Sequence, residues 1–354
     1  MFFHAGVFRS NSKRTTFLAW TLFKSWTCGP WQRHLWFQRN MKTVSLGRSS
    51  LRSSRLAYGC WRLAGTWDSC SVTAKDRAQG VRAVLAAYEA GYTLFDHADI
   101  YCDGVSEEIF GDALRQNRSM RERIVVATKC GIRKQGDPKP QSPFRYEFSS
   151  EHILWSCDQS LRRLGTETID LYQLHRPDYL MDPTEVADSF AKLKQAGKVR
   201  EFGVSNFRPS QLAALQKACP IPLIVHQVEI SLANLAAFHD GTLDQCLAEN
   251  ITPLAWSPLA GGQLADGAKQ LLPSQESYRT KPIVAALDQI ARERGSSRTV
   301  AALAWLLKHP AKIVPIVGSA NEANIRQAAQ ADDLELTRDE WYRLLEAARC
   351  ERLP

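Results

Sequence analysis

The feature that most constrains the fold of this 354-residue chain is the alternation of short β-rich segments with amphipathic helical segments. From residue 55 onward, apolar residues at helical spacing separate segments that favour strands. The eight predicted strands are Leu56–Trp61, Tyr92–Asp96, Ile124–Lys129, Ile169–His175, Glu201–Ser205, Leu223–Val228, Thr252–Trp256 and Ile313–Val317. Eight strands, each followed by a helix, are typical of a (β/α)8 barrel. We therefore predict an α/β fold, a TIM barrel in a single domain.

A doubly wound parallel sheet is the alternative fold for such an alternation. That fold usually carries a G-x-G-x-x-G turn after its first strand, and no such turn follows Leu56–Trp61. Two connections, Gly131–Ser150 and Pro258–Pro282, are longer than ordinary loops. We predict that both are active-site loops.

The first forty residues differ from the rest of the chain. They contain six basic residues and no Asp or Glu, so residues 41–354 carry only +2 of the formal charge of +8. We predict that residues 1–40 are a basic leader, either a targeting segment or a translated upstream stretch, and that the barrel domain spans residues 41–354 from Met41. A nucleic-acid partner is disfavoured, because its basic footprint should lie on the folded domain.

Composition also bears on the compartment. The nine cysteines include no C-x-x-C pair, which favours reduced thiols and a cytoplasmic location over a disulfide framework or a zinc ribbon. The longest apolar stretch of the leader, Phe17 to Phe23, is far shorter than the roughly 20 residues that span a bilayer. We therefore expect no membrane-spanning helix.

Polar residues follow three neighbouring predicted strands. Asp96 and Tyr101 lie at the end of the second strand, Lys129 at the end of the third, and His175 at the end of the fourth. In a barrel these strand ends meet at one mouth. A lysine beside a tyrosine stabilises the phenolate and lowers its pKa, an aspartate holds the lysine, and a histidine orients a carbonyl oxygen. The sequence thus predicts a group that protonates an alkoxide as a hydride arrives.

Several motifs in this order and spacing resemble the aldo-keto reductase family over about residues 45–348. The matching segments are Gly91–Tyr101 with Glu107 and Phe110–Gly111, Ala127–Lys129, Leu174–Asp178, Gly203–Phe207, Gln227 with Glu229, Trp256–Gly262 and Pro315–Ser319. The chain is most similar to the bacterial-type general oxidoreductases of the family. The resemblance implies an NADPH-dependent reductase of aldehydes or ketones, with NAD(H) as the alternative cofactor and a small-molecule carbonyl compound as substrate.

The resemblance also implies roles for individual residues. The catalytic tetrad would be Asp96, Tyr101, Lys129 and His175, with Tyr101 as proton donor, and Trp61 would line the substrate pocket. The implied cofactor-binding residues are Ser205, Asn206, Gln227, Trp256, Ser257, Leu259, Gly261, Gly318, Ser319, Asn321 and Asn324. No metal site is implied, and the oligomeric state stays open.

Two positions depart from the family pattern. Asn324 stands where many members have an arginine that pairs with the 2′-phosphate of NADP, and Arg326 lies two residues further on. Cys102 follows Tyr101 where the family usually has glycine, so its side chain could narrow the pocket or change the loop. We expect activity to persist.

Two other functions fit parts of the sequence. A nicotinamide-binding accessory or sensor protein would bind the cofactor with little turnover. A metal-dependent hydrolase could use His97, Asp99, His226 and Glu229, but no H-x-H pair ends the first strand, and Lys129 would place a positive charge at the centre.

Overall fold

The fold is a closed barrel of eight parallel strands, in which each barrel strand pairs with the next one along the chain and the last pairs with the first. The structure, a computed structural model, describes residues 39–267 and 279–353. The barrel strands are β3 (Ala57–Gly59), β4 (Leu94–Asp96), β5 (Val125–Cys130), β8 (Ile169–Leu174), β9 (Val199–Ser205), β10 (Leu223–Glu229), β11 (Thr252–Trp256) and β12 (Val314–Val317). All eight predicted strands are confirmed, and closure of the sheet excludes the doubly wound alternative.

Helices cover the outside of the barrel. They are α1 (Ala74–Glu89), α2 (Val105–Gln116), α3 (Ser150–Leu164), α4 (Pro183–Gln195), α5 (Pro209–Ala218), α6 (Thr242–Glu249), α7 (Thr280–Glu293), α8 (Arg298–Leu307), α9 (Glu322–Ala329) and α10 (Arg338–Arg349). The first helix shows how the sequence sets their limits. A capping box of Thr73 and Asp76 begins it, and Gly91, at φ +95°, lets the chain turn back toward β4.

Two short hairpins were not predicted. Strands β1 (Thr43–Ser45) and β2 (Arg52–Ser54) pair before the barrel begins. Leu46 and Leu51, in their connection, pack against Ile224 at the start of β10 and so cover the amino-terminal end of the barrel. Strands β6 (Ile132–Arg133) and β7 (Arg145–Tyr146) lie inside the predicted loop Gly131–Ser150. That loop is therefore partly ordered by strand pairing.

The predicted loop Pro258–Pro282 is only partly described. Its first part forms a short 3-10 turn, Ala260–Gly262, and its last residues already belong to α7. Residues 268–278 lie outside the described residues.

Side chains inside the barrel follow the period-two alternation of the strands. Buried apolar residues fill its lower layers, among them Leu94, Val125, Ala127, Leu171 and Leu254. Two residues further along three of these strands, the same alternation places Asp96, Lys129 and Trp256 at the carboxyl-terminal mouth. The fold therefore brings strand ends that are distant in sequence together in one polar layer.

The predicted leader, residues 1–40, lies outside the described residues except for Arg39 and Asn40. The backbone N–H of Arg39 donates to the carbonyl of Glu89 at 2.9 Å, and its guanidinium pairs with Asp333. Across residues 39–267 and 279–353, no helix is both long and apolar enough to cross a bilayer. The eight cysteines in the same ranges are free thiols.

Candidate active site

The centre of the polar layer is the buried ammonium of Lys129. Its Nζ lies 2.8 Å from Oδ2 of Asp96, 2.6 Å from the carbonyl oxygen of His97 and 3.2 Å from Oη of Tyr101. Strands β4 and β5 are paired neighbours, with Asp96 opposite Ala127, which brings the carboxylate and the ammonium together. Because the ammonium is fully buried, it needs these oxygens as counter-charge.

Burial and the neighbouring charges have opposite effects on the pKa values of Lys129 and Tyr101. Burial lowers the pKa of Lys129, but Asp96 and Tyr101 outweigh it, so the lysine pKa is raised and the ammonium stays charged. Burial raises the pKa of Tyr101 above its ordinary value of 10.0, and the lowering effect of Lys129 does not overcome it. Lys129 does lower the pKa of Tyr101, as the sequence predicted, but burial has the larger effect and the net shift is upward. The phenol keeps its proton at neutral pH and has one to donate.

His175 lies at the same mouth, directly after β8. Its backbone N–H donates to the carbonyl of Cys130 at 2.9 Å, and its ring centroid is 6.0 Å from that of Tyr101 at an interplanar angle of 81°. Burial, with the nearby charges of Lys129 and Arg176, lowers the pKa of His175 well below 6.5. The imidazole is therefore neutral at physiological pH and offers one N–H donor.

Residues predicted to bind a cofactor are hydrogen-bonded to this group. Nε2 of Gln227 donates to Oδ1 of Asp96 at 2.8 Å. Nδ2 of Asn206 donates to the carbonyl of His175 at 3.0 Å and to Oγ of Ser205 at 2.8 Å. Nε1 of Trp256 in turn donates to Oδ1 of Asn206 at 3.0 Å. The structure thus joins the ends of β9, β10 and β11 to those of β4 and β8.

The next predicted cofactor residues lie in a tight turn after β11. Ser257 and Ala260 have positive φ angles of 52° and 49°, and Gly261 has one of 67°. Oγ of Ser257 accepts the backbone N–H of Gly261 at 3.0 Å, which holds the turn closed around Leu259. Left-handed residues in succession direct backbone N–H groups to one side, an arrangement that suits a phosphate.

The remaining predicted cofactor residues lie between β12 and the first turn of α9. A Cβ on Gly318 would lie 2.5 Å from Nε1 of Trp61, so the indole occupies the space that a side chain would need. The carbonyl of Ser319 accepts the Tyr58 hydroxyl at 2.9 Å, while Asn321 caps the helix. Asn324 is exposed in the first turn, where helix N–H groups favour an anion.

These residues fit a dinucleotide as a set. An indole face at Trp256 suits a flat ring, and the neighbouring amide of Asn206 suits a carboxamide. The turn after β11 and the amino terminus of α9 offer backbone donors for phosphates. The chemistry required by NADP(H) or NAD(H) is therefore present in the chain.

The two departures from the family pattern have structural counterparts. Arg326 points away from the predicted cofactor residues, since its guanidinium lies 2.6 Å from Oε2 of Glu89 on α1. Cys102 is buried and has a φ of 49° and a ψ of 49°, the left-handed conformation for which glycine is usually selected. Asp103, at φ 53°, and Gly104, at φ 89°, continue this turn. Cys102 thus adopts a backbone conformation that is typical of glycine.

Sequence reasoning missed two residues at the mouth. Trp67 is 54% exposed, and its ring centroid lies 6.3 Å from that of Tyr101 and 5.6 Å from that of Trp61. Arg176 places its guanidinium 5.6 Å from the centre of the Trp256 ring. Trp67 belongs to an irregular segment without periodicity, but Arg176 adjoins His175, and that adjacency was a usable signal.

The residues considered for a metal site are placed differently. His97 packs edge-on against Phe110, with 4.5 Å between ring centroids, and burial lowers its pKa to about 3. His226 is also buried, and its pKa is lowered to about 4. Within the described ranges, no three His, Cys, Asp or Glu side chains are grouped as metal ligands.

Comparison with known proteins identifies the family and agrees with the fold. The model of the Aldo/keto reductase family matches residues 55–349, so the chain belongs to that family. It is an NAD(P)H-dependent oxidoreductase, as its relatives are named reductases or oxidoreductases of this family.

Individual relatives cover nearly the whole barrel. A 6-dehydroglucose reductase of Novosphingobium aromaticivorans is 41% identical over 87% of this chain and 96% of that protein. Oxidoreductase YdhF of Escherichia coli is 38% identical over 87% of this chain and 98% of that protein. The solved structure of a thermostable aldo-keto reductase, Tm1743, with the inhibitor epalrestat has a TM-score of 0.73 at 24% identity, covering 87% of this chain and 100% of that one. That likeness supports the barrel fold.

Proposed function

We propose that the chain reduces an aldehyde or ketone to an alcohol with NADPH, and that Tyr101 donates the proton. The observation that supports this most directly is the position of Lys129 Nζ, 2.8 Å from Asp96 and 3.2 Å from the Tyr101 hydroxyl. A protonated phenol held beside a permanent positive charge is suited to protonate an oxygen that is gaining negative charge.

Each residue of the tetrad has a defined task in this proposal. The neutral imidazole of His175 donates a hydrogen bond to the carbonyl oxygen and orients it toward Tyr101. When bound, NADPH would be the source of the hydride. Tyr101 gives its proton to the oxygen, and Lys129 stabilises the phenolate that remains. Asp96, held by Gln227, keeps the ammonium charged and in place.

The binding residues have complementary tasks. We propose that Ser205, Asn206 and Gln227 hold the carboxamide and that Trp256 stacks on the nicotinamide. Ser257, Leu259 and Gly261 would follow the pyrophosphate, while Gly318, Ser319, Asn321 and Asn324 would meet the adenosine phosphate. Trp61 would form a wall of the substrate pocket, next to Trp67.

We further propose that residues 41–354 are the barrel domain and that residues 1–40 are a separable basic leader. A cytoplasmic location is part of the same proposal, because buried free thiols such as Cys60 and Cys130 suit a reducing compartment.

The test is NADPH oxidation by the full chain over a panel of carbonyl compounds. The panel includes aliphatic and aromatic aldehydes, a ketone and an aldose, the last because relatives are named 6-dehydroglucose reductase. We expect turnover of at least one class. NADPH binding with no turnover in any class would overturn the reductase proposal and favour the accessory or sensor function.

A further inference from the structure

Arg176 is a cation at the mouth of the barrel that no carboxylate of the described residues neutralises. Three other cations near the mouth are paired: Lys129 with Asp96, Lys134 with Asp103, and Arg133 with Asp137 and Glu147. The guanidinium of Arg176 lies 5.6 Å from the centre of the Trp256 ring. The residue is partly buried, so the charge is incompletely hydrated and favours a counter-charge.

The nearest carboxylate in sequence is already engaged elsewhere. Oδ2 of Asp178 accepts the backbone N–H of Phe148 at 2.9 Å, and its Oδ1 accepts that of Leu180 at 2.9 Å. Asp178 therefore ties the segment after β7 to the segment after β8. It makes no ion pair with Arg176, although only one residue separates them.

The location of Arg176 connects it with the reacting groups. It follows His175 directly, and its charge contributes to the lowered pKa of that imidazole. The Trp256 ring that it faces is hydrogen-bonded to Asn206, which in turn donates to the carbonyl of His175. Arg176 is thus connected with the site through its sequence neighbour His175 and through its contact with Trp256.

The proposed phosphate-binding residues are elsewhere, in the turn after β11 and at the amino terminus of α9. The donors assigned to the phosphates there are backbone N–H groups. The counter-charge of Arg176 is then expected to come from the substrate.

We propose that Arg176 binds an oxyanion of the substrate, so that the preferred substrates are aldehydes or ketones that carry a carboxylate or a similar anionic group. The inference rests on the proposed reductase function. A guanidinium binds a carboxylate through two parallel hydrogen bonds, which fixes the orientation of the substrate as well as its charge. The indole of Trp256 supports the guanidinium from one side.

The experiment compares three small aldehydes with NADPH: succinic semialdehyde, which has a carboxylate; butanal, which has none; and glyceraldehyde, which is neutral but hydroxylated. We expect kcat/KM of the full chain for succinic semialdehyde to exceed that for butanal by about tenfold or more. Arg176→Gln should lower it about 10- to 100-fold for succinic semialdehyde and by less than about threefold for butanal and glyceraldehyde.

Two further variants sharpen the result. Arg338→Gln is the matched control, because Arg338 also faces an aromatic ring, that of Tyr342 at 5.3 Å, but on the distant helix α10. It should leave all three values unchanged. Arg176→Lys keeps the charge and loses the paired geometry, so it should retain part of the preference even if Arg176→Gln is poorly folded.

Three outcomes would overturn the inference while leaving the reductase function intact. The first is an equal kcat/KM of the wild type for butanal and succinic semialdehyde, and the second is an equal loss of kcat/KM for all three aldehydes in Arg176→Gln. The third is a weaker binding of NADPH by that variant that accounts for its lower kcat/KM. If Arg176→Gln lowered kcat/KM for glyceraldehyde as much as for succinic semialdehyde, Arg176 would bind hydroxyl groups of the substrate and not an oxyanion. Failure of the wild type to reduce any of them, or any compound of the wider panel, would overturn the proposed function together with the inference.

Discussion

The two halves of the barrel mouth reach their functional geometry by different means. On one half, the ends of β4, β5 and β8 present the buried side chains of Asp96, Lys129 and His175, of which Asp96 and Lys129 form an ion pair. On the other half, the ends of β9, β11 and β12 lead into turns with positive φ angles and into the amino terminus of α9. The first half depends on charge and burial, and the second depends largely on backbone direction.

This difference predicts which properties a substitution on each half should change. A buried ion pair leaves an uncompensated charge when one partner is removed, so changes on the first half should affect both turnover and folding. A backbone donor persists when its side chain is replaced, so changes on the second half should affect ligand selectivity by smaller factors. The predictions below test that separation.

The largest effect is expected for Lys129→Met. The variant leaves Asp96 buried without its ammonium and Tyr101 without a stabilising charge. We expect kcat to fall about 10²- to 10⁴-fold and the free energy of unfolding to fall by about 3–5 kcal/mol. Steady-state kinetics and urea unfolding measure the two effects.

The double variant Lys129→Met with Asp96→Asn is the control, because it removes the unpaired carboxylate. It should recover most of the stability and none of the activity. If stability fails to recover, the loss comes from packing and the ion pair is not its source.

The second effect concerns acid stability. Burial lowers the pKa of His97 to about 3 and those of His152 and His226 to about 4, and it lowers that of His175 well below its ordinary 6.5. These histidines bind protons more readily when unfolded, so their contribution is present above about pH 6.5 and is lost as pH falls below it. Burial raises the pKa of Asp99 to about 7. This carboxyl therefore binds a proton more readily in the folded state, which opposes the effect of one histidine.

We therefore expect a net uptake of protons on unfolding near pH 5, so the free energy of unfolding should fall as the pH falls from about 7 to 5. Urea unfolding at several pH values between about 7 and 5 measures this slope. His226→Gln, away from the tetrad, should make the slope shallower. A slope that is flat in this window, or unchanged in the variant, would show that the histidines are protonated in the folded state.

A smaller effect is expected on the backbone-dependent half. Asn324→Arg places a guanidinium in the first turn of α9, where it can pair with a 2′-phosphate. We expect the Kd for NADPH to fall about 3- to 10-fold while that for NADH stays the same. Arg326→Gln is the matched control, since Arg326 is engaged with Glu89 and should change neither value.

The smallest effect is expected for Cys102→Gly. Glycine relieves the left-handed strain at φ 49° but loses a buried side chain and gains freedom in the unfolded chain. These effects nearly cancel, so the free energy of unfolding should change by less than about 1 kcal/mol and kcat should stay within about threefold. A large loss of kcat would show that the thiol itself positions Tyr101.

The sequence predicted the eight strands because β-rich segments and helix-ending glycines such as Gly91 and Gly197 are local signals. It also brought the members of the tetrad to one mouth, since parallel strands end together. It missed the β1–β2 hairpin, whose strands have three residues each and show no periodicity. It predicted the lowering effect of Lys129 on the pKa of Tyr101 but not the larger, raising effect of burial, because burial of the phenol cannot be deduced from neighbouring residues.

The most direct test of the account is a single-turnover measurement on Tyr101→Phe, loaded with NADPH and mixed with a carbonyl compound that the wild type reduces. The account predicts that the Kd for NADPH, read from tryptophan quenching, is unchanged, while the rate of NADPH oxidation falls by about 10²-fold or more. A rate within about threefold of the wild type would contradict the assignment of Tyr101 as proton donor. A Kd weakened as much as the rate would contradict the separation of the two halves of the mouth.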